Sequence, residues 1–425
     1  MTIALRPIGA EELDAFFRAN SLAFGRSPTQ EQIATWRATC DFTRNLAAYD
    51  GEQIVGTAGA YTFALSVPGP AVVPAAGVSW VAVVPTHRRQ GVLRSMMQHQ
   101  LRDVRARGEP LAVLGASESS IYGRFGYGPA TSTMSVEIER AWARLAPAAV
   151  AAAAANEHGG RIQLITHEEA LAVLPPLYQQ VRGQRAGTVA RDETLWRFTL
   201  RQPSAQGQAQ ASGEELGPRF YVVYCNAMGE AEGAAYYRVA SRWEHALPRS
   251  VLVVEDLFAL SPAARVALWS YCLSTDLVET VRVERMAVDD PLRWLLADPR
   301  RLRVTHVVDE LWVRVVDVAR ALAARRYAGR GRVVFEVSDD FLPDISGRYA
   351  LEAEAAPDGL ATCARTEEAP DLALAVADLG AAYLGGVRFR TLVEAGRVHE
   401  LMPGSVARAD ALFAATFAPY CGTHF

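Results

Sequence analysis

The sequence predicts a mixed α/β and α+β chain of two or three domains, and three observations carry that prediction. Its 425 residues exceed what one ordinary hydrophobic core organises. Half of them are hydrophobic, which excludes a mainly disordered chain. Apolar patterns of strand and helix period alternate along it and restart twice, after an alanine-rich run near Pro147 and again near Arg301. The expected divisions are therefore 1–145, 146–300 and 301–425.

In the first segment, 3–6 reads as a strand and 11–20 as a helix with apolar Leu13, Phe16 and Phe17. Strands at 45–49 and 54–63 flank Asp50-Gly51, a hairpin signal. A strand at 78–84 leads into His87-Arg88-Arg89-Gln90-Gly91, then into a helix with Leu93, Met96, Met97, Leu101 and Val104 on one face. Gly108 stops that helix, and 111–114 opens a further strand. No repeated parallel unit is long enough to require a Rossmann domain.

In the second segment, the alanine-rich run ending in Asn156-Glu157-His158-Gly159-Gly160 is a helix end or a linker. A strand at 161–166, a polar surface loop at 201–217, strands at 220–224, 234–239 and 251–257, and a helix at 262–272 follow. That order repeats the first segment without its Arg-Arg-Gln-Gly turn. It fits a second copy of the same fold that has lost the turn's contacts, or an unrelated α/β domain. In the third, 311–316 is a strand or connector and Asp317 caps a helix through Tyr327. Strands at 332–337, 348–353 and 372–376 precede short helices at 381–384 and 391–398. A final amphipathic helix at 407–417 leaves a short tail ending in Phe425.

A formal charge of −4 supplies no basic field for nucleic acid. No uninterrupted apolar stretch approaches membrane-spanning length, and the amino end carries a proline and acids where a signal peptide has an apolar core. Cys40, Cys225, Cys272, Cys363 and Cys421 are scattered, as are the histidines. This predicts a reducing, cytoplasmic setting and no metal site.

Two clusters carry chemistry. The turn at 85–91 lies between a strand and a helix, so first-turn amides can meet a pyrophosphate with help from the helix dipole. Gly91 allows close approach, and Arg88 and Arg89 add charge-assisted contacts. The alternative is a solvated basic turn. The second cluster, Ser117 to Tyr127, offers two phenols, and either Tyr122 or Tyr127 can donate a proton to a departing thiolate or simply pack. Acetyl coenzyme A, with its pyrophosphate, amide-bearing arm and thioester, suits both clusters.

The stretch Val81-Ala82-Val83-Val84-Pro85-Thr86-His87-Arg88-Arg89-Gln90-Gly91-Val92-Leu93-Arg94, with Ser117-Glu118 and Ile121-Tyr122-Gly123-Arg124-Phe125-Gly126-Tyr127-Gly128-Pro129-Ala130-Thr131, resembles a known family. It is similar to the enhanced intracellular survival family of aminoglycoside N-acetyltransferases, in the GCN5-related acetyltransferase superfamily. Leu93 departs from the superfamily's Arg/Gln-x-x-Gly-x-Gly/Ala pattern, where a small residue ends the motif. The resemblance covers the whole chain. It implies tandem GCN5-related acetyltransferase folds, the second degenerate, followed by a sterol-carrier-like domain, and a homo-hexamer built as a dimer of trimers.

The resemblance also implies residue roles. Val81 and Val83 flank the pantetheine arm, Arg88, Arg89, Gly91, Val92 and Leu93 form the phosphate-binding region, and Ser117 lies near the cofactor. Tyr122 is the general acid, and the terminal carboxylate of Phe425 is a base or amine-orienting group. His424 stands where relatives often place an acid. The implied function is direct, acetyl-CoA-dependent N-acetylation of primary amines on aminoglycosides, other cationic amines or lysine side chains. No base pattern supports Cys421 as a nucleophile, and Ser117 fits hydrogen bonding better than acyl carriage. The alternative is a non-catalytic acyl-CoA or lipid-binding protein. Neither nucleic acid nor membrane is an expected partner.

Overall fold

In a computed structural model that describes residues 3–69, 71–156, 159–201, 216–354 and 360–425, the first sheet grows from the Asp50-Gly51 turn, where Gly51 takes φ 61°. Its elements in order are β1 (Ala4–Pro7), α1 (Leu13–Ala23), α2 (Gln30–Thr39), β2 (Leu46–Asp50) and β3 (Gln53–Val67), then β4 (Ala71–Val83), α3 (Val92–Ala106), β5 (Leu111–Gly115), α4 (Ser119–Tyr122) and β6 (Gly128–Pro129). β1 to β4 are antiparallel, and α3 carries the chain across to a parallel β5. Alternation along β2 sorts the two faces. Ala47 and Tyr49 pack with Leu13, Phe16 and Phe17 of α1, while Leu46 and Ala48 pack with Val92 and Met96 of α3.

A second compact unit spans Ser132–Gln184 and Arg191–Val308. It contains β7 (Ser132–Glu139), α5 (Pro147–Asn156), β8 (Arg161–Ile165), α6 (His167–Arg182), α7 (Glu193–Leu200), β9 (Leu216–Cys225) and β10 (Ala231–Ala240). A small ribbon of β11 (Trp243–Glu244) and β12 (Leu247–Pro248) follows, then β13 (Ser250–Ala259), α8 (Pro262–Ser274), β14 (Val278–Ala287), α9 (Leu292–Leu295) and β15 (Arg303–Asp309). The sheet order is β15-β7-β14-β13-β10-β9-β8, with β13 and β14 parallel across α8. An antiparallel meander followed by a parallel crossover therefore occurs a second time. The alanine-rich run is helix α5. Most of the loop expected at 201–217 lies outside the described residues.

The other compact unit joins Met1–Thr131 and Arg185–Ala190 to Asp309–Phe425. β16 (Leu311–Val315) enters the first sheet between β5 and β6 and gives the order β1-β2-β3-β4-β5-β16-β6. Beyond it lie α10 (Val318–Ala324), capped by Asp317 as expected, β17 (Gly331–Ser338), β18 (Gly347–Ala353), β19 (Ala361–Arg365) and β20 (Leu372–Ala375). The chain continues through α11 (Val376–Ala382), α12 (Phe389–Glu394), β21 (Val398–Glu400) and α13 (Ser405–Phe413). These strands form a separate sheet ordered β19-β18-β17-β20-β21. α11 is buried along its whole length, and its one charged residue, Asp378, is paired with Arg397. A Cβ at Gly380 would lie 2.3 Å from the Val313 carbonyl oxygen, and one at Gly128 1.8 Å from that of Ala377. Glycine at both places lets α11 rest backbone to backbone on β16 and β6.

The final helix ends at Phe413, four residues before the expected 417. Arg325 helps set that exit. Its buried guanidinium donates to the carbonyls of Tyr383 and Phe413 and lies against the rings of Tyr327 and Phe413. Burial pushes its pKa down, and helix-end carbonyls with aromatic faces supply the compensating negative potential.

Candidate active site

β4 and β5 pair only from Ala75–Leu111 to Gly77–Val113. β5 stays paired with β16 on its other side, whereas β4 bulges. Its register with β3 jumps between Thr57 and Gly59, Trp80 takes φ 57°, and the Trp80 carbonyl accepts from Thr57 Oγ1 at 2.7 Å. A bulge bends the strand that carries it, so the two parallel strands part as a wedge beyond Gly77. The β4 limb offers main-chain groups of 78–83 to a ligand bearing amides. Val81 and Val83 stand half-exposed on that limb.

The β4 limb runs directly into the basic turn. Arg89 at φ 62° and Gly91 at φ 83° curl the chain so that α3 begins at Val92 without a side-chain cap. The first-turn amides, including those of Val92 and Leu93, are thus available to an anion. A Cβ at Gly91 would meet nothing within 4 Å, so φ and not crowding calls for glycine there. The Val92 side chain is buried under the sheet, which leaves only its backbone for a ligand.

Arg88 and Arg89 differ. Arg88 Nε donates to the Val83 carbonyl at 3.1 Å and its Nη2 to the Ala23 carbonyl at 2.6 Å. Its charge lies at the negative carboxyl end of α1, which attracts a cation that the positive start of α3 repels. Arg89 is exposed and makes no hydrogen bond or ion pair among the described residues. His87 fastens the turn, with Nε2 3.3 Å from Asp50 Oδ2 and Nδ1 2.8 Å from Thr86 Oγ1.

The β5 limb leads past exposed Ser117 to α4 and Tyr122. The Tyr122 ring is buried, and its hydroxyl has no hydrogen-bond partner among the described residues. Burial, with a smaller contribution from Glu118, pushes its pKa up to about 12. Tyr127 packs edge-to-face on it, with ring centroids 5.9 Å apart. Tyr127 is fully buried, and burial raises its pKa further.

Phe425 reaches the same wedge by a chain of short-range contacts. The main chain of 187–190 lies along β3, with Gly187 N donating to Ser66 O and Ala190 N to Ala64 O. The tail lies on that strap, through Arg185 Nη1 to Ala418 O at 2.6 Å and Tyr420 N to Ala186 O at 2.9 Å. The Phe425 ring then meets Phe63 at 4.8 Å and Tyr61 at 6.3 Å between centroids. The Phe63 ring overlies Gly77, where a Cβ would clash at 2.2 Å, and Gly77 is the last β4 residue paired before the wedge opens. Tyr61 accepts from Trp80 Nε1 at 3.3 Å, and Trp80 packs on Trp36 and Phe17. Sequence reasoning missed Tyr61, Phe63 and Gly77. Their only local sign is an aromatic pair at strand spacing.

In the second unit, α8 starts differently. Ser261 caps it by accepting from Ala264 N, Pro262 follows, and Ser261 Oγ donates to Glu232 Oε2 at 2.8 Å. A capped helix start beside a carboxylate repels a pyrophosphate. Among the described residues no group of three His, Cys, Asp or Glu side chains is placed to hold a metal ion, and no helix is long and apolar enough to cross a membrane.

Residues 4–130 match the family model of an acetyltransferase (GNAT) domain, 187–315 match another GNAT-domain model, and 318–422 match a sterol carrier protein domain. The chain is 33% identical over 421 residues to N-acetyltransferase Eis of Mycobacterium tuberculosis, covering 97% of each chain. It is 39% identical over 425 residues to an uncharacterized N-acetyltransferase of Streptomyces coelicolor, covering 99% of each. The crystal structure of Eis1 from Mycobacterium abscessus superposes with a TM-score of 0.82 at 33% identity, covering 99% of this chain and all of that one. A GCN5-related N-acetyltransferase from Anabaena variabilis shares the fold, with a TM-score of 0.83 at 19% identity and full coverage of both chains.

Proposed function

Because this chain belongs to the Eis-like N-acetyltransferases of the GNAT superfamily, with acetyl-CoA as co-substrate, we propose that it transfers the acetyl group directly to a primary amine of a cationic small molecule. Aminoglycosides and other cationic amines are the first acceptor class, and exposed lysine side chains the second. The observation that carries this reading is the wedge between β4 and β5, with the uncapped start of α3 at the end of one limb and Tyr122 beyond the other. Incubation with acetyl-CoA and an amine panel, followed by free-thiol release, tests it. Release on at least one amine is expected. Cofactor binding without release on any amine would favour an acyl-CoA or lipid-binding protein.

In this reading the pyrophosphate lies on the amides of the α3 start, Gly91, Val92 and Leu93 included, with Arg89 as counter-charge. The pantetheine arm pairs with the main chain near Val81 and Val83 beside Ser117, and Arg88 holds the turn to α1. Arg89→Gln raises KM for acetyl-CoA about ten-fold with kcat little changed. The same change leaves S-acetylpantetheine, which lacks the pyrophosphate, unaffected. Equal losses with both donors would remove Arg89 from the phosphate site.

Most alkyl amines arrive protonated near neutral pH and must lose a proton before attack. The Phe425 carboxylate orients the ammonium and takes that proton directly or through water. Positioning matters more than basicity for so weak a base. Tyr122 gives its proton to the departing thiolate, and the second proton shed by the new amide nitrogen restores the phenol through water. The burial that raises the phenol's pKa also raises that of a thiolate formed beside it, which keeps the transfer near balance. Extending the chain past Phe425 lowers kcat/KM for the amine about ten-fold or more. Full activity of an intact extended protein would contradict the role. Kinship with the family supports a homo-hexamer, a dimer of trimers, acting in the cytoplasm apart from nucleic acid and membrane; light scattering of the purified protein tests the assembly.

A further inference from the structure

No hydrogen bond orients the Tyr122 phenol among the described residues, so packing sets where the ring carries its hydroxyl oxygen. The ring that packs on it is Tyr127, at 75° between planes, and Tyr127 N donates to the Tyr122 carbonyl at 3.3 Å. Among the described residues the buried Tyr127 hydroxyl has no partner, and neither has Nε of the neighbouring Arg314. A hydroxyl that forms no bond does not explain why a tyrosine ring is held there.

What holds that ring comes from much later in the chain. Arg314 on β16 is 0% exposed and is paired with Asp339, whose side chain is 1% exposed. Asp339 Oδ1 accepts from the main-chain N–H of Phe341 and Leu342, both at 3.0 Å, which fixes the carboxylate. Phe341 then packs on Phe125 at 5.0 Å. The Arg314 guanidinium lies directly under the Tyr122–Tyr127 loop. A Cβ at Gly126, which stands at φ 83°, would come within 2.8 Å of Arg314 Cζ. The Gly126 main chain therefore rests close on the guanidinium, with no room for a side chain between them.

We propose that Tyr127 is a positioning residue for acetyl transfer, held by the buried Arg314–Asp339 pair and acting by keeping the Tyr122 ring in its donating orientation. This rests on Tyr122 as the general acid. It also gives the sterol-carrier-like region a role in catalysis, since Asp339 and Phe341 buttress the loop that bears the acid.

Arg314→Met leaves Asp339 buried alone and can fail to fold, so the test is a double-mutant cycle at Tyr127 and Tyr122 in the full chain. Tyr127→Leu lowers kcat about 10–100-fold with KM for acetyl-CoA within about two-fold, and Tyr127→Phe, which keeps the ring, restores kcat to within about two-fold of the native value. In a Tyr122→Phe background, Tyr127→Leu has no further effect on kcat. An undiminished loss in that background, or parallel losses in kcat and KM, would overturn the positioning role while leaving Tyr122 as the acid. A silent Tyr122→Phe would overturn the acid itself, and this role with it.

Discussion

Replacing Tyr122 by Phe lowers kcat by about two to three orders of magnitude and leaves KM for acetyl-CoA within about two-fold. The substitution removes one phenolic proton and almost no volume. Tyr122 is buried and its hydroxyl has no hydrogen-bond partner among the described residues, so the fold loses little. A loss confined to kcat marks a group that acts in the transition state. The pH profile supplies an independent signature. With the phenol pushed up to about 12, the proton-bearing form persists above the ordinary tyrosine value of about 10. The native enzyme therefore shows no descending limb at the ordinary tyrosine value; the limb lies near 12. A limb near 10 that disappears in Tyr122→Phe would show an acid more exposed than this geometry allows.

Asp339→Ala destabilises the protein by about 3–5 kcal/mol, read as a lower urea midpoint. The Arg314 guanidinium has no access to water and would remain charged without its counter-ion. The N–H groups of Phe341 and Leu342 would lose their acceptor as well. Arg332→Ala offers a contrast. Its pairs with Glu352 and Glu368 are exposed, and such pairs contribute about 0–1 kcal/mol. Equal midpoints for the two variants would mean that the Arg314–Asp339 pair is hydrated.

What could be read from the chain, and what could not, follows from how far apart the interacting residues lie. The basic turn with its helix and the tyrosine-bearing loop are contiguous, so their chemistry is written locally. The wedge is not, because it depends on where β4 stops pairing with β5 and on a bulge at Trp80. Arg314 shows only as a charge inside the apolar run Leu311–Val315, and its partner lies 25 residues on, in a turn with no distinguishing pattern. β16 likewise chooses a partner strand about two hundred residues earlier, which no window of local sequence reveals.

Two helices absent from the sequence reading carried a legible signal. α2 and α6 open with Thr29…Gln32 and Thr166…Glu169, reciprocal capping boxes in which each threonine side chain accepts from the third helical residue. Pro175 and Pro176 inside α6 argue against a helix there, and packing of Leu174, Leu177 and Tyr178 against the second sheet outweighs them. The tail that delivers Phe425 follows from the early end of α13 and the strap at 185–190, neither of which has a local pattern.

Direct transfer at the wedge requires both substrates bound together and no acetyl group resting on the protein. Initial rates measured over a matrix of acetyl-CoA and amine concentrations separate this route from one through an acetylated protein. Intersecting double-reciprocal lines, with one free thiol released for each amide formed, are the expected result. Parallel lines with acetyl recovered on the protein would contradict direct transfer and call for a nucleophile in place of the proton donor proposed at Tyr122.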